Sequence, residues 1–199
     1  MARSPSRKRD SFHHGNLLED LIDAARQRIR IQGADSITLR DLASDVGVNH
    51  RAIYRHCPDK ETLLAEAAER CWRDFLKHLM QAAAGLAPGK PMLAAAGVAM
   101  FQWGRENPQY FLFATGAYPS LGRKFPNLEA AIADVVEFFA IGFAGSGIAP
   151  DLVARRAGVY LSAMHGVTAQ YLYGRLRFAP EHASEWIRDV CTMLIEGLT

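Results

Sequence analysis

One short stretch constrains the fold more than any other: TLRDLASDVGVNHRAIYRHCPDK, from Thr38 to Lys60. Its apolar residues recur at helical spacing on both sides of Gly47, so the stretch predicts two short amphipathic helices. Gly47 can adopt the left-handed backbone angles that a tight turn between helices requires. Thr38 and Asn49 stand where the two helices would begin, and both are residue types that cap helix N termini. The sequence therefore predicts a helix–turn–helix motif.

The outer face of the second helix is predicted to be basic and polar. The apolar residues of this helix are expected to face inward, which leaves cationic and hydrogen-bonding side chains on the outer face. Such side chains contact phosphates and base edges in complexes with DNA. The candidate set for DNA contacts is Thr38, Arg40, Asn49, His50, Arg51, Tyr54, Arg55, His56 and Lys60. The alternative interpretation is an ordinary helical hairpin with a solvated face.

The chemistry of each side chain suggests its role within this set. His50 and Arg51 are the candidates for base contacts, because an arginine that makes two hydrogen bonds to a guanine discriminates by roughly 1–3 kcal/mol. Asn49 is a weaker candidate, since capping can occupy its side chain. Arg55 can instead pair with an acid on a neighbouring helix, and His56 can be a structural histidine. These alternatives stay open at this stage.

The motif and its flanks resemble the DNA-binding domain of the TetR/AcrR family of one-component bacterial transcription regulators. The matching elements are Leu42-Ala43, Val46-Gly47-Val48, Tyr54-Arg55-His56, Asp59-Lys60-Glu61 and Leu63-Leu64. The resemblance is detailed over about residues 12–69 and architectural beyond them. Cys57 departs from the pattern, because the family usually has a phenylalanine there, packed under the recognition helix.

The resemblance implies roles for particular residues. In the family, the tyrosine, histidine and lysine that match Tyr54, His56 and Lys60 commonly contact phosphates, and the hydroxyl that matches Thr38 often joins them. A cation at the start of a helix opposes the helix dipole, so a DNA contact explains Lys60 better than a role as a helix-start residue. The resemblance also implies a homodimer that binds two half-sites of a double-stranded operator, and a small-molecule effector bound in a helical C-terminal domain.

Length and composition fit a helical protein of the cytoplasm. The 199 residues suffice for a buried core, and the sequence has neither an apolar run long enough to span a membrane nor a signal peptide. The cysteines Cys57, Cys71 and Cys191 are odd in number and lack metal-ligand spacing, which predicts buried thiols in a reducing compartment. The net charge is only +2, so the chain is not a bulk polycation.

The first ten residues form a basic arm. Arg3, Arg7, Lys8 and Arg9 precede the first acid, Asp10. Such arms often follow DNA phosphates or enter the minor groove. A solubilising terminus or a cloning remnant explains the same residues equally well.

No segment alternates in hydrophobicity with period two, so the predicted fold is all-α, with about nine helices. They are expected at about 16–33, 38–46, 49–57, 60–84, 92–106, 109–115, 128–143, 150–176 and 180–198. In the family the fourth helix joins two domains. We therefore expect a helix–turn–helix DNA-binding domain over residues 1–60, including the arm, and a larger effector-binding and dimerisation domain over residues 61–199.

The second half is rich in aromatic and sulfur-containing side chains. The candidates for an effector pocket are Met100, Trp103, Phe111, Phe113, Tyr118, Phe139, Tyr160, Met164 and His165. Such residues more often form a core than a pocket, whereas the family resemblance favours the pocket. The pair His165-Gly166, within LSAMHGVTAQYLYGR, and the start FHHGNL resemble a subgroup marked by a His-Gly pair. His165 itself fits the pocket, the core or the dimer interface.

The last two helices carry apolar faces suited to dimerisation. The expected interface residues are Thr168, Tyr171, Leu172, Trp186, Val190, Met193 and Leu194. A four-helix bundle across a twofold axis is how the family usually dimerises, but the same faces can also fill the monomer core.

The leading interpretation is a DNA-binding regulator, a repressor that a small effector releases from its operator. The alternatives are a DNA-binding protein without a ligand, whose aromatic half is simply core, and a small-molecule carrier or enzyme. Nothing in the sequence indicates catalysis, a cofactor or a metal, because no Ser-His-acid set, phosphate loop or metal-ligand spacing stands out.

Overall fold

The chain is helical throughout the part that the structure describes. The computed structural model describes residues 17–116, 125–176 and 180–199. The helices are α1 (Leu17–Gln32), α2 (Leu39–Val46), α3 (His50–Ile53), α4 (Lys60–Ala82), α5 (Lys90–Glu106), α6 (Pro108–Thr115), α7 (Pro126–Ala144), α8 (Pro150–Leu172) and α9 (Ala183–Leu198). Nine α-helices and no strand in these ranges confirm the predicted all-α fold. The basic arm at residues 1–10 and Tyr118 lie outside the described residues.

Two boundaries near the C-terminal end differ from the prediction. α8 ends at Leu172, short of the predicted end, because Gly174 adopts a left-handed conformation with φ of 67°. The last helix begins at Ala183 rather than at the proline before it, and Pro180–His182 form a separate 3₁₀ turn. The hydrophobic periodicity predicted a helix in both places. It does not show at which residue a helix ends or changes to a 3₁₀ turn.

α4 is the central element of the fold. It packs against α1, α5, α6 and α7. Arg70 pairs with Glu19 of α1 at 2.8 Å, and Arg73 pairs with Asp134 of α7 at 2.9 Å. Glu69 pairs with both arginines. Burial alone would raise the pKa of Glu69, but hydrogen bonds from Arg73 and Arg70 hold it below its ordinary value.

A buried tyrosine joins α5, α8 and α9. The hydroxyl of Tyr160 donates a hydrogen bond to the main-chain oxygen of Leu93 at 3.0 Å, and burial raises the pKa of this phenol. Gly97 makes room for it, because a Cβ atom there would lie 2.2 Å from the Tyr160 hydroxyl and 2.6 Å from Cys191 Sγ. None of the helices in the described ranges is long and apolar enough to cross a membrane.

Candidate nucleic-acid interface and a cavity in the helical half

Short-range contacts shape the helix–turn–helix motif. Thr38 caps α2: its hydroxyl accepts a hydrogen bond from the Asp41 N–H at 3.1 Å and donates one to the Asp41 carboxylate at 2.6 Å. Gly47 ends α2 in the left-handed conformation, with φ of 78°. Asn49 caps α3, since its side-chain oxygen accepts a hydrogen bond from the Arg51 N–H at 2.9 Å. The predicted caps and the predicted glycine turn are confirmed.

α3 is shorter than predicted, a single turn that ends at Ile53. The chain continues in tight turns, in which the N–H groups of His56 and Cys57 both donate to the Ile53 oxygen at 2.8 Å. The proline at position 58 disfavours a helical conformation at Cys57 and so limits the helix. Cys57 is fully buried, and its thiol donates to the main-chain oxygen of Asp59 at 3.0 Å.

The face predicted to contact DNA is exposed. His50, Arg51, Tyr54, Arg55 and His56 all lie at the surface. The rings of His50 and Tyr54 meet edge-on, with centroids 5.2 Å apart. No acidic side chain within the described ranges forms an ion pair with Arg51 or Arg55. The alternative role for Arg55, as the partner of a neighbouring acid, has no support there.

The flanks of the motif carry the other candidates. Arg40 is exposed on α2. Lys60 is the first residue of α4, and its Nζ atom lies 3.5 Å from the main-chain oxygen of Asp35, which places the start of α4 beside the loop that leads into α2. The hydroxyl of Thr38 is already engaged with Asp41. The side-chain oxygen of Asn49 is engaged as the cap of α3, as its chemistry suggested.

A cavity of about 280 Å³ lies among the helices that follow the helix–turn–helix motif. Its walls come from α4, α5, α6, α7 and α8. Its apolar lining consists of Trp72, Met100, Ala114, Leu128, Ile132 and Leu161. Thr115, Gly116, Ser162 and His165 complete it. Met100 and His165 were candidates from the sequence. Trp72 was missed, because the spacing of apolar residues along α4 does not separate core positions from a cavity wall.

The other sequence candidates for the pocket do not line this cavity. They are buried side chains of the core: Trp103, Phe111, Phe113, Phe139, Tyr160 and Met164. Tyr118 lies outside the described residues. His165 is half-buried, with its ring centroid 5.5 Å from that of Phe111, and burial lowers its pKa. The imidazole therefore favours its neutral form at neutral pH.

The residues expected at a dimer interface divide into two groups. Thr168 and Val190 are buried within the single chain, and the Thr168 hydroxyl donates to the Met164 oxygen at 2.8 Å. Tyr171 is half-buried, with its ring 4.9 Å from that of Phe101. Leu172, Trp186 and Leu194 are also half-buried. Met193 is 63% exposed.

The helix–turn–helix motif lies within a stretch that matches a known protein family. The family model described as "Bacterial regulatory proteins, tetR family" matches residues 21–67, from within α1 to within α4. No curated protein resembles the chain closely enough in sequence to count as a relative.

Solved structures extend the likeness to the whole fold. A protein of unknown function from Rhodococcus sp. RHA1 is 25% identical, with a TM-score of 0.76, over 95% of this chain and 98% of that one. BioQ, solved with its double-stranded DNA operator, is 18% identical, with a TM-score of 0.67, over 91% and 96% of the two chains. FadR from Bacillus subtilis, solved with stearoyl-CoA, is 13% identical, with a TM-score of 0.66, over 90% and 96%. Residues 21–67 are therefore similar to the N-terminal domain of the tetR family of bacterial regulatory proteins, and the chain as a whole shares its fold with these solved structures.

Proposed function

We propose that this protein is a ligand-responsive transcriptional regulator of the TetR family. It binds a palindromic operator in double-stranded DNA as a homodimer, represses the adjacent gene, and leaves the DNA when a small effector binds. It acts in the cytoplasm, where bacterial DNA lies. Residues 1–60 serve as the DNA-binding domain and residues 61–199 as the effector and dimerisation domain, of the subgroup that carries a His-Gly pair.

The observation that carries the DNA-binding role is the exposed basic face of a capped helix–turn–helix motif. His50 and Arg51 are assigned to base edges, because they lie at the start of α3, the part of a recognition helix that points into the major groove. The assigned phosphate contacts are Thr38, Arg40, Tyr54, Arg55, His56 and Lys60. Asn49 acts mainly as the cap of α3.

α4 supports the effector role, because it belongs to both sites. Lys60 begins this helix beside the motif, and Trp72, on the same helix, lines the cavity. A ligand that displaces Trp72 therefore acts on the helix that also carries a DNA-contacting lysine. The operator in the BioQ structure and the stearoyl-CoA in the FadR structure show that this fold accommodates both kinds of partner in other proteins.

The exposed apolar side of α9 supports the homodimer. Met193 is 63% exposed on α9, and Leu194 beside it is half-buried. We expect Met193→Asp to weaken the dimer, because it buries a charge in an apolar interface. Met80→Asp is the matched control, since Met80 on α4 is 56% exposed and lies on neither of the last two helices. Sedimentation velocity of the two variants tests the interface, and equal dimer dissociation in both would contradict it.

Operator binding is tested by selecting bound duplexes from random oligonucleotides and then measuring affinity by fluorescence anisotropy. The double variant Arg51→Ala/Tyr54→Phe is expected to lose most of its affinity for the selected sequence. Lys90→Ala is the control, because Lys90 is an exposed cation at the start of α5, outside the motif. Undiminished binding by the double variant would refute the assignment of the contact to α3, whereas a selection that yields no bound duplex would refute the DNA-binding role and favour a carrier or an enzyme.

The effector role is tested by reciprocity. A compound found by thermal-shift screening is titrated into the protein with and without operator DNA. Linkage requires that DNA weaken the compound by the same factor by which the compound weakens DNA, with a coupling free energy of about 1–3 kcal/mol for typical regulators. Equal affinities with and without DNA would favour a DNA-binding protein that does not respond to a ligand.

A further inference from the structure

The cavity lined by α4 to α8 has an apolar wall and a few polar side chains. Its apolar wall includes the indole of Trp72 and the side chains of Leu128 and Ile132. The polar side chains Ser162 and His165 come from α8, three residues apart, so both point to the same face of that helix. Neither side chain hydrogen-bonds to any residue in the described ranges, so both are available to a ligand.

The end of α6 supplies a second polar feature of the cavity. Ala114, Thr115 and Gly116 all line it where that helix stops. The last carbonyl groups of a helix lack partners within the helix and carry partial negative charge. One of them, the Ala114 oxygen, accepts a hydrogen bond from Trp72 Nε1 at 3.2 Å. This end of the cavity therefore accepts hydrogen bonds and disfavours anions.

Formal charge is missing from the described part of the cavity wall. None of its described residues is an acid, a lysine or an arginine. Burial lowers the pKa of His165, so the imidazole adds little positive charge at neutral pH. An ionised ligand would give up its hydration and find no charged partner among these described residues, which is costly.

We propose that the cavity binds a small neutral molecule with an apolar, ring-bearing body and a single hydroxyl group. The hydroxyl lies between the Ser162–His165 pair, which donates a hydrogen bond to it, and the carbonyl groups at the end of α6, which accept a hydrogen bond from it. The ring packs against Trp72. A volume of about 280 Å³ equals about nine water molecules at ~30 Å³ each, so the ligand has on the order of ten non-hydrogen atoms. This inference rests on the proposed effector role and specifies its ligand class.

Three probes with one shared skeleton test the inference by calorimetry on the full chain at neutral pH: para-butylphenol, butylbenzene and para-butylbenzoate. We expect para-butylphenol to bind tightest. Butylbenzene lacks the hydroxyl and is expected to bind about three- to tenfold more weakly, the value of an ordinary hydrogen bond. The benzoate is expected to bind at least about a hundredfold more weakly, because its charge is desolvated without a partner.

Variants locate the binding. His165→Leu is expected to abolish the preference for para-butylphenol over butylbenzene while butylbenzene still binds. Ser162→Ala, at an exposed position, is a second variant and is expected to reduce the same preference. His182→Leu is the matched control, because His182 is an exposed histidine outside the cavity. Leu161→Trp, which fills the cavity, is expected to weaken both neutral probes.

The outcomes separate the ligand class from the effector role. If para-butylbenzoate binds at least as tightly as para-butylphenol, the neutral-ligand class is wrong and the effector role stands. A preference for the phenol that survives in His165→Leu and in Ser162→Ala overturns the assigned orientation. If none of the three probes binds, or if Leu161→Trp binds them unchanged, the assignment of this ligand class to the cavity is wrong, and the effector role is decided separately by the reciprocity titration.

Discussion

The hydroxyl of Tyr110 donates a hydrogen bond to the main-chain oxygen of Arg26 at 3.0 Å, which ties α6 directly to α1. The Arg26 guanidinium also lies 5.7 Å from the centre of the Tyr110 ring and pairs with Asp74 on α4. The far end of α6 lines the cavity. The cavity is thus connected to the N-terminal helices by two routes, one along α4 and one through α6 to α1.

The contact between Tyr110 and Arg26 predicts that a variant without it has weaker coupling between ligand binding and DNA binding. Tyr110→Phe removes the hydrogen bond and keeps the ring, so we expect a loss of about 1 kcal/mol in the free energy of unfolding. We also expect a smaller coupling free energy between ligand and operator. Urea unfolding measures the first, and paired titrations measure the second. The control is Tyr173→Phe, because Tyr173 is exposed. Coupling that is unchanged in Tyr110→Phe would leave α4 as the only route.

Arg51 and Lys60 are predicted to fail in different ways on DNA. Arg51→Ala is expected to cost about 1–3 kcal/mol on the selected operator and to relax discrimination at one base pair. Lys60→Gln is expected to weaken all sequences alike and to reduce the salt slope of log K by about one. Anisotropy titrations at several salt concentrations, on operator and on scrambled DNA, measure both effects. A uniform loss in Arg51→Ala would reassign that residue to the phosphates.

Two helical glycines are predicted to respond oppositely to a methyl group. Gly97→Ala places a Cβ atom 2.2 Å from the Tyr160 hydroxyl, and overpacking of this kind typically costs about 1–3 kcal/mol or more. Gly158→Ala, within α8, meets no atom within 4 Å, and it is expected to stabilise the helix by roughly 0.5–1 kcal/mol. Thermal unfolding of both variants tests the packing around Tyr160. Equal stability in the two variants would contradict it.

His165 is predicted to make stability fall in weakly acidic solution. Burial lowers the pKa of this histidine in the folded chain below its ordinary value of 6.5, so the unfolded chain takes up the proton first as the pH decreases. The free energy of unfolding should therefore begin to fall near pH 6.5 and level off below the lowered folded value. His165→Gln should reduce this decline, whereas the exposed-site control His182→Gln should retain it. Urea unfolding across this pH range measures the difference. An identical decline in both variants would assign it to other groups.

The helix–turn–helix motif was predictable because local interactions define it. Thr38 and Asn49 cap helices through bonds to residues two or three positions away, and Gly47 supplies the turn by its own backbone freedom. A pattern of residue types at fixed spacing records such interactions directly. The length of α3 was overestimated, because the apolar periodicity through Cys57 is equally compatible with a helix and with the tight turns that replace it.

The cavity was not predictable in the same way. Five helices contribute to it, and whether an aromatic residue lines a space or fills it depends on contacts between residues far apart in the sequence. Tyr160 and Trp72 illustrate the point. Both are aromatic residues in amphipathic helices, yet Tyr160 is enclosed in the core and Trp72 faces the cavity. His165 was a candidate because the pair His165-Gly166 resembles a subgroup of the family, and its side chain lines the cavity.

The continuity of α4 from Lys60 past Trp72 has a mechanical consequence. The two residues are twelve positions apart, which at 1.5 Å per residue is about 18 Å along one rigid rod. A small tilt of this helix at Trp72 therefore becomes a displacement at Lys60, which is proposed to contact DNA. A tilt of about three degrees around Trp72 would move Lys60 by about 1 Å, a large fraction of the reach of a hydrogen bond. If the proposed function holds, a ligand the size of a single substituted ring therefore needs no large rearrangement of the bundle to break the phosphate contact assigned to Lys60. In the proposed homodimer the same tilt would act at both half-sites.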